Sequence, residues 1–439
     1  MTERKVLAGA AGPVAPAGPP ASASPGAEAA PLDRSALMHT YAEPTVTFVR
    51  GRGSTLYDSA GKEYLDFLSG LAVTSLGHAH PAVAAAIADQ ARTLTHVSNL
   101  FGNVVGPEVA ATLDRLIGGG VERAGGQVFF ANSGAEANEC AIKLARRWAG
   151  PGRYAVVSTW DAFHGRTLAS LAATGQIEKQ QPFLPLPEGF DHVPFDDLEA
   201  MDSACDPARV AAVLVEPIMG EAGVVVPSSD YLVGLRQLCS ERNILLMVDE
   251  VQTGFGRTGR WFGFQHLGVE PDVVTMAKAL GNGMPVGACW ARPEVAAAFV
   301  PGDHGSTFGG QPLAMSAAQA TLAVMESEDV PARARAAGAR LQAGLETMPG
   351  VASVRGEGLL LAAVLTDEFA VLACRQALEA GLVINAPRPD VLRFAPSLLV
   401  TEAEIDEALG TLRPLLARHG PGGTRAARGQ VADQGEPPR

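Results

Sequence analysis

One lysine and one aspartate stand at the ends of two apolar segments, and the pair suggests a specific chemistry. The segment from Ile244 leads to Asp249, and a shorter one from Asp272 leads to Lys278. An amine can form a Schiff base with the aldehyde of pyridoxal phosphate. A carboxylate can keep that cofactor's pyridine nitrogen protonated, so that the ring accepts the electron pair of a carbanion. The two segments therefore predict a pyridoxal phosphate site at the ends of neighbouring strands.

A possible site for the cofactor's phosphate lies where a strand pattern gives way to a helical one. The run Asn132-Ser133-Gly134-Ala135-Glu136 places backbone N–H groups and a hydroxyl at a helix N-terminus, which attracts anions. Ser133 and Glu136 also fit an ordinary capping box. On its own the cap is the simpler interpretation, and the presence of Asp249 and Lys278 in the same sheet favours the phosphate site.

The glycines at 254, 256 and 259 match a dinucleotide-binding pattern and follow a predicted strand. Asp249 and Glu250 end that strand, however, and their carboxylates would repel a pyrophosphate. The glycines also come later than the strand-to-helix turn that such a fingerprint occupies. We therefore interpret them as a tight loop that faces the substrate.

The run Phe163-His164-Gly165-Arg166-Thr167 combines an aromatic ring with a guanidinium after another predicted strand. A ring can stack on a cofactor, and a guanidinium can hold a carboxylate through two parallel hydrogen bonds. Taken singly, Phe163 would more often belong to the core and Arg166 to a surface ion pair. Both interpretations stay open on the residues alone.

Charge, cysteine content and hydropathy argue against several classes of protein. The 439 residues carry a net charge of −13, without the basic surface of a nucleic-acid-binding protein. Five dispersed cysteines indicate free thiols in a reducing compartment, and hence a cytoplasmic protein. No apolar run reaches the roughly 18 residues of a membrane helix. His78 and His80 lack the partners expected of a metal site.

Alternating strand and helix patterns predict an α/β fold with a doubly wound, mostly parallel sheet. Its strands are predicted at 126–131, 154–158, 210–216 and 244–249, and its helices at 135–148 and 232–241. Beyond Pro312 the pattern is that of a smaller α+β domain. We predict an N-terminal segment over 35–80, a large cofactor-binding domain over 81–311 and a small domain over 312–418. The ends, 1–34 and 419–439, are predicted to be disordered because they hold few large apolar side chains.

Several motifs together resemble a known family. They are FLSGLAV (67–73), LGHAHP (76–81), NSGAEAN (132–138), FHGRT (163–167), VEPI (215–218), DEVQT (249–253), AKALG (277–281) and HGSTFGG (304–310). Over about residues 38–418 the chain resembles the class III aminotransferases, which are pyridoxal-phosphate-dependent enzymes of fold type I. The resemblance implies that fold, that cofactor and an aminotransferase activity.

The resemblance also implies a role for each matching residue. Lys278 would be the catalytic residue, binding the cofactor's aldehyde and moving a proton between substrate and cofactor. Asp249 would pair with the pyridinium nitrogen, Gln252 would approach the ring hydroxyl, and Phe163 would stack on the ring. The family is dimeric, and Thr307 would reach the phosphate of the neighbouring subunit, so that the sites lie at a homodimer interface. The other expected cofactor-binding residues are Ser133, Gly134 and Ala135 at the phosphate, with Glu250 and Val251 beside the aspartate.

Two arginines explain how such a site could take two unlike substrates. Arg393 would bind the α-carboxylate of glutamate, and Arg166 would bind the far carboxylate of either substrate. A donor that reacts at its terminal amine leaves Arg393 without a carboxylate, and a buried unpaired guanidinium is costly. Glu221 is the expected partner of Arg393 in that state, and Ser306 is expected beside the substrate.

The segment from Asn385 to Ser397, which includes DVLRFAPS (390–397), is similar to that of the family branch that acts on N2-acetylornithine. It implies transfer of that compound's terminal amino group to 2-oxoglutarate, in arginine biosynthesis. Gly102 would leave a wider entrance than the tyrosine of some relatives, which leaves the acyl group open. Arg388 stands where a small residue is commoner. The alternatives are ornithine, succinylornithine or a 4-aminobutyrate-type amine as donor, or an aminomutase on the same scaffold.

Overall fold

The computed structural model describes residues 34–120 and 124–419. The predicted disordered tails therefore lie outside the described residues, except for Arg34 and His419 at their inner ends. Among the described residues, no helix has both the length and the apolar character needed to cross a membrane.

Fifteen strands and thirteen α-helices make up the described chain. The strands are β1 (Phe48–Arg52), β2 (Thr55–Asp58), β3 (Glu63–Asp66), β4 (Gln127–Ala131), β5 (Ala155–Thr159), β6 (Phe190–Val193), β7 (Val210–Val215), β8 (Leu245–Asp249), β9 (Val273–Met276), β10 (Gly287–Ala291), β11 (Val351–Glu357), β12 (Leu360–Leu365), β13 (Leu382–Val383), β14 (Asn385–Arg388) and β15 (Val391–Phe394). The helices are α1 (Ser69–Ala72), α2 (Pro81–Thr93), α3 (Val105–Ile117), α4 (Gly134–Ala149), α5 (Leu168–Ala173), α6 (Ile177–Gln180), α7 (Leu198–Ala204), α8 (Tyr231–Glu241), α9 (Pro293–Ala296), α10 (Pro312–Ser327), α11 (Val330–Glu346), α12 (Ala370–Glu379) and α13 (Glu402–Ala417).

Seven strands form the central sheet in the order β4-β10-β9-β8-β7-β5-β6. The five strands from β9 to β6 run parallel, whereas β10 is antiparallel to both of its neighbours. Alternate residues of β7 face two separate hydrophobic clusters, with Val213 in one and Leu214 in the other. Both faces of the sheet are therefore covered, as is usual for parallel sheets. The predicted α/β fold with a mostly parallel sheet is confirmed.

The strand expected to lead to Lys278 is shorter than predicted. β9 ends at Met276, and Lys278 begins a 3-10 turn with a backbone φ of 39°. This left-handed conformation is uncommon for a residue with a side chain and is often found at functional sites. β10 is not predicted from the sequence at all, because its five residues (GACWA) are mostly small and include no β-branched side chain, so they carry little strand signal.

The C-terminal part contains an antiparallel sheet, β11-β12-β15-β14, against which α11 and α12 pack. The N-terminal strands β1, β2 and β3 form a further sheet, and β3 pairs in parallel with β13. The N-terminal segment is thus joined to the C-terminal part through backbone hydrogen bonds. The boundaries 35–80, 81–311 and 312–418 remain predictions.

Candidate active site

The carboxyl ends of β5, β7, β8 and β9 meet at one edge of the central sheet, where ligands bind in open α/β sheets. The loops that follow these strands enclose a cavity of about 370 Å³, which suits a small-molecule ligand. Ten of the predicted site residues line it, namely Ser133, Gly134, Ala135, Phe163, Arg166, Glu221, Asp249, Val251, Gln252 and Lys278. The aspartate and the lysine on which the cofactor prediction rests therefore face the same space.

Asp249 is held in place by three hydrogen-bond donors. Its Oδ2 accepts from Asn138 Nδ2 at 2.7 Å and contacts His164 Nδ1 at 2.8 Å. Its Oδ1 accepts from the backbone N–H of Val251 at 3.0 Å. These three donors fix the orientation of both carboxylate oxygens. The site therefore presents an oriented anion to whatever binds in the cavity.

Lys278 presents a free amine to the same cavity. Its Nζ makes no hydrogen bond or ion pair with any residue that the structure describes. Burial lowers the pKa of Lys278 below its ordinary value, and the Arg393 guanidinium adds to the effect, while the Glu221 carboxylate opposes it. A lowered pKa makes a lysine more available as a nucleophile and as a proton acceptor.

The N-terminus of α4 forms one end of the cavity. Ser133 is its N-cap, and its Oγ accepts from the backbone N–H of Glu136 at 3.2 Å. A Cβ on Gly134 would lie 2.9 Å from the methyl carbons of Val251, so glycine allows the helix to begin this close to β8. The capping role and the anion site therefore coexist, and the helix N-terminus points its N–H groups at the cavity.

The polar groups around the cavity fit those of pyridoxal phosphate. Gln252 Oε1 is buried and has no hydrogen-bond partner among the described residues, so it is available to a polar group of a ligand. An anion site, a positioned carboxylate, a free amine and the ring of Phe163 surround the same space. These are the groups that the phosphate, the ring nitrogen, the aldehyde and the ring face of that cofactor require.

The substrate-binding residues of the prediction form a second constellation. Arg393 is buried, and its Nη1 lies 2.7 Å from Glu221 Oε1. Burial acts to raise the pKa of Glu221, but Arg393 outweighs it and the pKa lies below its ordinary value. Arg166 is exposed to the cavity, stacks near Phe163 at 5.7 Å from the ring centroid, and has no ion-pair partner among the described residues. One arginine is therefore neutralised, and the other is available to an anion.

Four predicted residues do not line the cavity within one subunit, namely Arg393, described above, and Glu250, Ser306 and Thr307. The Glu250 carboxylate is turned into the protein, where it accepts from the backbone N–H of Phe264 at 2.9 Å. Ser306 contacts Asn132 through its side chain at 3.3 Å, and Thr307 is exposed. Their predicted roles at the cofactor and substrate remain predictions.

The glycine loop at 254–259 does not face the substrate, contrary to the interpretation from the sequence. A Cβ on Gly256 would meet Val330 at 2.7 Å, and one on Gly259 would meet Arg335 at 2.5 Å. Arg257 is buried and donates to the carbonyl of Pro396 at 2.5 Å. The loop therefore packs against the C-terminal part of the chain, because its close approach to α11 requires small residues.

Sequence reasoning assigned no role to three residues that position the site. Asn138 and His164 hold Asp249, although both lie inside recognised motifs. Glu216 accepts from the backbone N–H of Phe163 at 3.0 Å and of Gly220 at 3.2 Å. Burial raises the pKa of Glu216 to about 7. No local pattern identifies such residues, because each acts through a partner distant in the chain.

Comparison with known proteins gives concordant matches. The model of the aminotransferase class-III family matches residues 37–416. Acetylornithine aminotransferase of Gloeobacter violaceus is 50% identical over 391 residues, which cover 87% of this chain and 96% of that protein. The crystal structure of ornithine aminotransferase from Toxoplasma gondii superimposes with a TM-score of 0.83 and 36% identity, covering 88% of this chain and 94% of that one. That of acetylornithine aminotransferase from Elizabethkingia anophelis gives 0.76 and 32%, covering 88% and 97%.

Proposed function

The chain belongs to the class III aminotransferases, which use pyridoxal phosphate, and on this premise we propose that it acts on N2-acetylornithine. It would transfer the terminal amino group to 2-oxoglutarate, a step of arginine biosynthesis. The Glu221–Arg393 pair beside an unpaired Arg166 supports a terminal-amine donor with one carboxylate, and the 50% identity to an acetylornithine aminotransferase favours N2-acetylornithine among such donors. With Arg393 neutralised, the site offers one free guanidinium, which matches the single carboxylate of N2-acetylornithine.

The residues of the cavity divide the chemistry between them. When bound, pyridoxal phosphate supplies an electron sink for the carbon that loses its proton. Lys278 Nζ would hold the cofactor and carry a proton to and from the substrate carbon. Asp249 would keep its negative charge at the ring nitrogen, held there by Asn138 and His164. The N-terminus of α4 would hold the phosphate.

The same residues would also bind glutamate in the opposite orientation. Its α-carboxylate would replace Glu221 at Arg393, and its side-chain carboxylate would occupy Arg166. Arg393 is placed to hold a carboxylate firmly, because Gly220 O at 3.0 Å and Asn385 Oδ1 at 3.1 Å already orient its guanidinium. Glu221 therefore acts as a gate: it pairs with Arg393 when N2-acetylornithine is bound, and it leaves Arg393 when glutamate is bound.

Replacement of Arg393 by alanine is expected to harm the glutamate half-reaction more than the N2-acetylornithine one. Loss of one partner of a desolvated charge pair costs about 2–5 kcal/mol, so the glutamate rate should fall by roughly 30-fold or more. Single-turnover absorbance changes would measure each half-reaction. Arg355→Ala is the matched control, because Arg355 contacts the same loop at Gly223 O, 2.8 Å away, without reaching the cavity. Equal losses in both half-reactions of Arg393→Ala would contradict the two-arginine scheme.

A panel of amine donors tests the proposed substrate. We expect N2-acetylornithine to react with the highest specificity constant, ahead of succinylornithine, ornithine and 4-aminobutyrate, with 2-oxoglutarate as acceptor. A preference for free ornithine would instead indicate an ornithine δ-aminotransferase. Product formation from a single substrate without any oxo acid would indicate an aminomutase on the same scaffold.

The proposal includes a homodimer that acts in the cytoplasm. Thr307 lies beside exposed apolar side chains on two contacting loops, among them Leu100, Phe101 and Phe308. Exposed apolar patches of this kind mark protein interfaces. A second subunit bound to this surface would have Thr307 of the first subunit near its active site. The five free cysteines support a reducing compartment.

A further inference from the structure

Lys179, on α6, is a cation without an anionic partner among the described residues, and it lies close to the loop that leads to Phe163. It is half-buried, and its Nζ donates only to Gln176 Oε1, a neutral amide. Gln176 Nε2 in turn donates to the carbonyls of Asp161 at 3.0 Å and Ala162 at 3.2 Å, directly before Phe163. Within the described part of the chain, Lys179 forms no ion pair. A partly desolvated charge left in this way is costly unless a counter-ion reaches it.

The surroundings of Lys179 connect it to the Glu221 loop. Arg388 contacts Asp161 Oδ1 through its Nη2 at 2.6 Å and donates from its Nε to Ala222 O at 3.4 Å. The loop that anchors Lys179 and the loop that carries Glu221 are therefore tied together by one guanidinium. Burial lowers the pKa of Lys179, and the Arg166 charge lowers it further, whereas the Glu221 charge opposes both.

A count of charges distinguishes the two half-reactions. With N2-acetylornithine bound, one substrate carboxylate lies at Arg166, and Glu221 occupies Arg393. With glutamate bound, two substrate carboxylates occupy both arginines, and Glu221 loses its partner. Three carboxylates must then share the cations near them. Lys278 also acts on Glu221, but the proposed function commits it to the cofactor and the proton transfer, which leaves Lys179 as the third cation. Arg388 is not available for this purpose, because Asp161 already neutralises it.

We propose that Lys179 is the second counter-ion of Glu221, which receives the Glu221 carboxylate whenever glutamate displaces it from Arg393. The inference rests on the proposed two-substrate function and assigns a positioning role, since Lys179 touches neither the substrate nor the cofactor. It makes the gate a two-position switch in which Glu221 is paired in both positions. An unpaired Glu221 would otherwise repel the incoming α-carboxylate and raise the cost of glutamate binding.

The test compares the two half-reactions of the holoenzyme in the Lys179→Met variant. We expect the second-order rate constant with glutamate to fall about tenfold, equivalent to about 1.4 kcal/mol. The rate constant with N2-acetylornithine should change less than about twofold, as for a substitution away from the reacting groups. Lys179→Arg should restore most of the glutamate rate. Lys62→Met, which removes an exposed lysine that does not line the cavity, is the matched control and should leave both rates unchanged.

A double-mutant cycle separates this role from a merely structural one. In Glu221→Gln no charge is displaced by glutamate, so adding Lys179→Met should cause no further loss, and the two effects should be non-additive. Additive losses would overturn the proposal. The proposal would also be overturned if Lys179→Met lowered the rate constants with glutamate and N2-acetylornithine equally but left the rate constant with N-acetylputrescine unchanged. N-acetylputrescine lacks only the carboxylate of N2-acetylornithine, so this result would show that Lys179 binds the substrate carboxylate beside Arg166. If N2-acetylornithine does not react with the unmodified enzyme, the substrate assignment fails, while the glutamate comparison still tests Lys179.

Discussion

Replacement of Lys278 by alanine is expected to abolish transamination while the fold is retained. The side chain faces the cavity without internal hydrogen bonds, so its removal breaks no contact that stabilises the described structure. The reaction, in contrast, loses the amine that carries the proton. General acid–base catalysis alone contributes up to about 10⁴-fold, and we expect a loss of at least that size in turnover of amine donor with 2-oxoglutarate.

The circular dichroism spectrum and the thermal midpoint of unfolding of the Lys278→Ala variant should be close to those of the unmodified protein. Lys62→Ala serves as the matched control, since Lys62 is exposed. Its Nζ donates to the carbonyl of Glu379 at 2.6 Å and lies 4.6 Å from the centroid of the Tyr64 ring, and it does not line the cavity. Retained turnover in Lys278→Ala would show that another residue moves the proton, and the assignment of the site would be wrong.

Replacement of Asp249 by asparagine is expected to lower both half-reactions together by about 10²–10³-fold. Removal of one oriented group that stabilises charge in a water-excluded site typically has an effect of this size. Asparagine keeps the shape of the side chain but presents one N–H₂ group. Since donors approach both oxygens of Asp249, the amide group must face a donor in either orientation. An unsatisfied buried donor should also cost about 1–3 kcal/mol of stability.

The control for this loss of stability is Asp272→Asn. Asp272 is also buried, accepts from the backbone N–H of Leu246 at 2.7 Å and pairs with Arg236 and Arg292. It precedes β9, however, whereas Asp249 is the last residue of β8. The Asp272→Asn substitution should lower the free energy of unfolding without lowering the turnover of the folded enzyme. An Asp249→Asn variant with normal turnover would show that the charge at this position does not serve the chemistry.

Much of the site could be predicted from the sequence, because its central residues lie at the ends of local patterns. β8 is an uninterrupted apolar run that ends in Asp249, and the helix signal after Ser133 includes its own cap. Parallel strands bring their carboxyl ends to one edge of a sheet. Groups that follow such strands therefore meet in space even when they are far apart along the chain.

The remaining features depend on contacts between distant segments, which only the tertiary structure decides. Asn138 and Asp249 are 111 residues apart, and Glu221 and Arg393 are 172 residues apart. The family resemblance suggested the second pair, but the residues alone did not distinguish Glu221 from a surface acid. The same limit explains why β10 and the pairing of β3 with β13 were not foreseen. Short strands carry little periodicity, and their place in a sheet is decided by the neighbours that they bury.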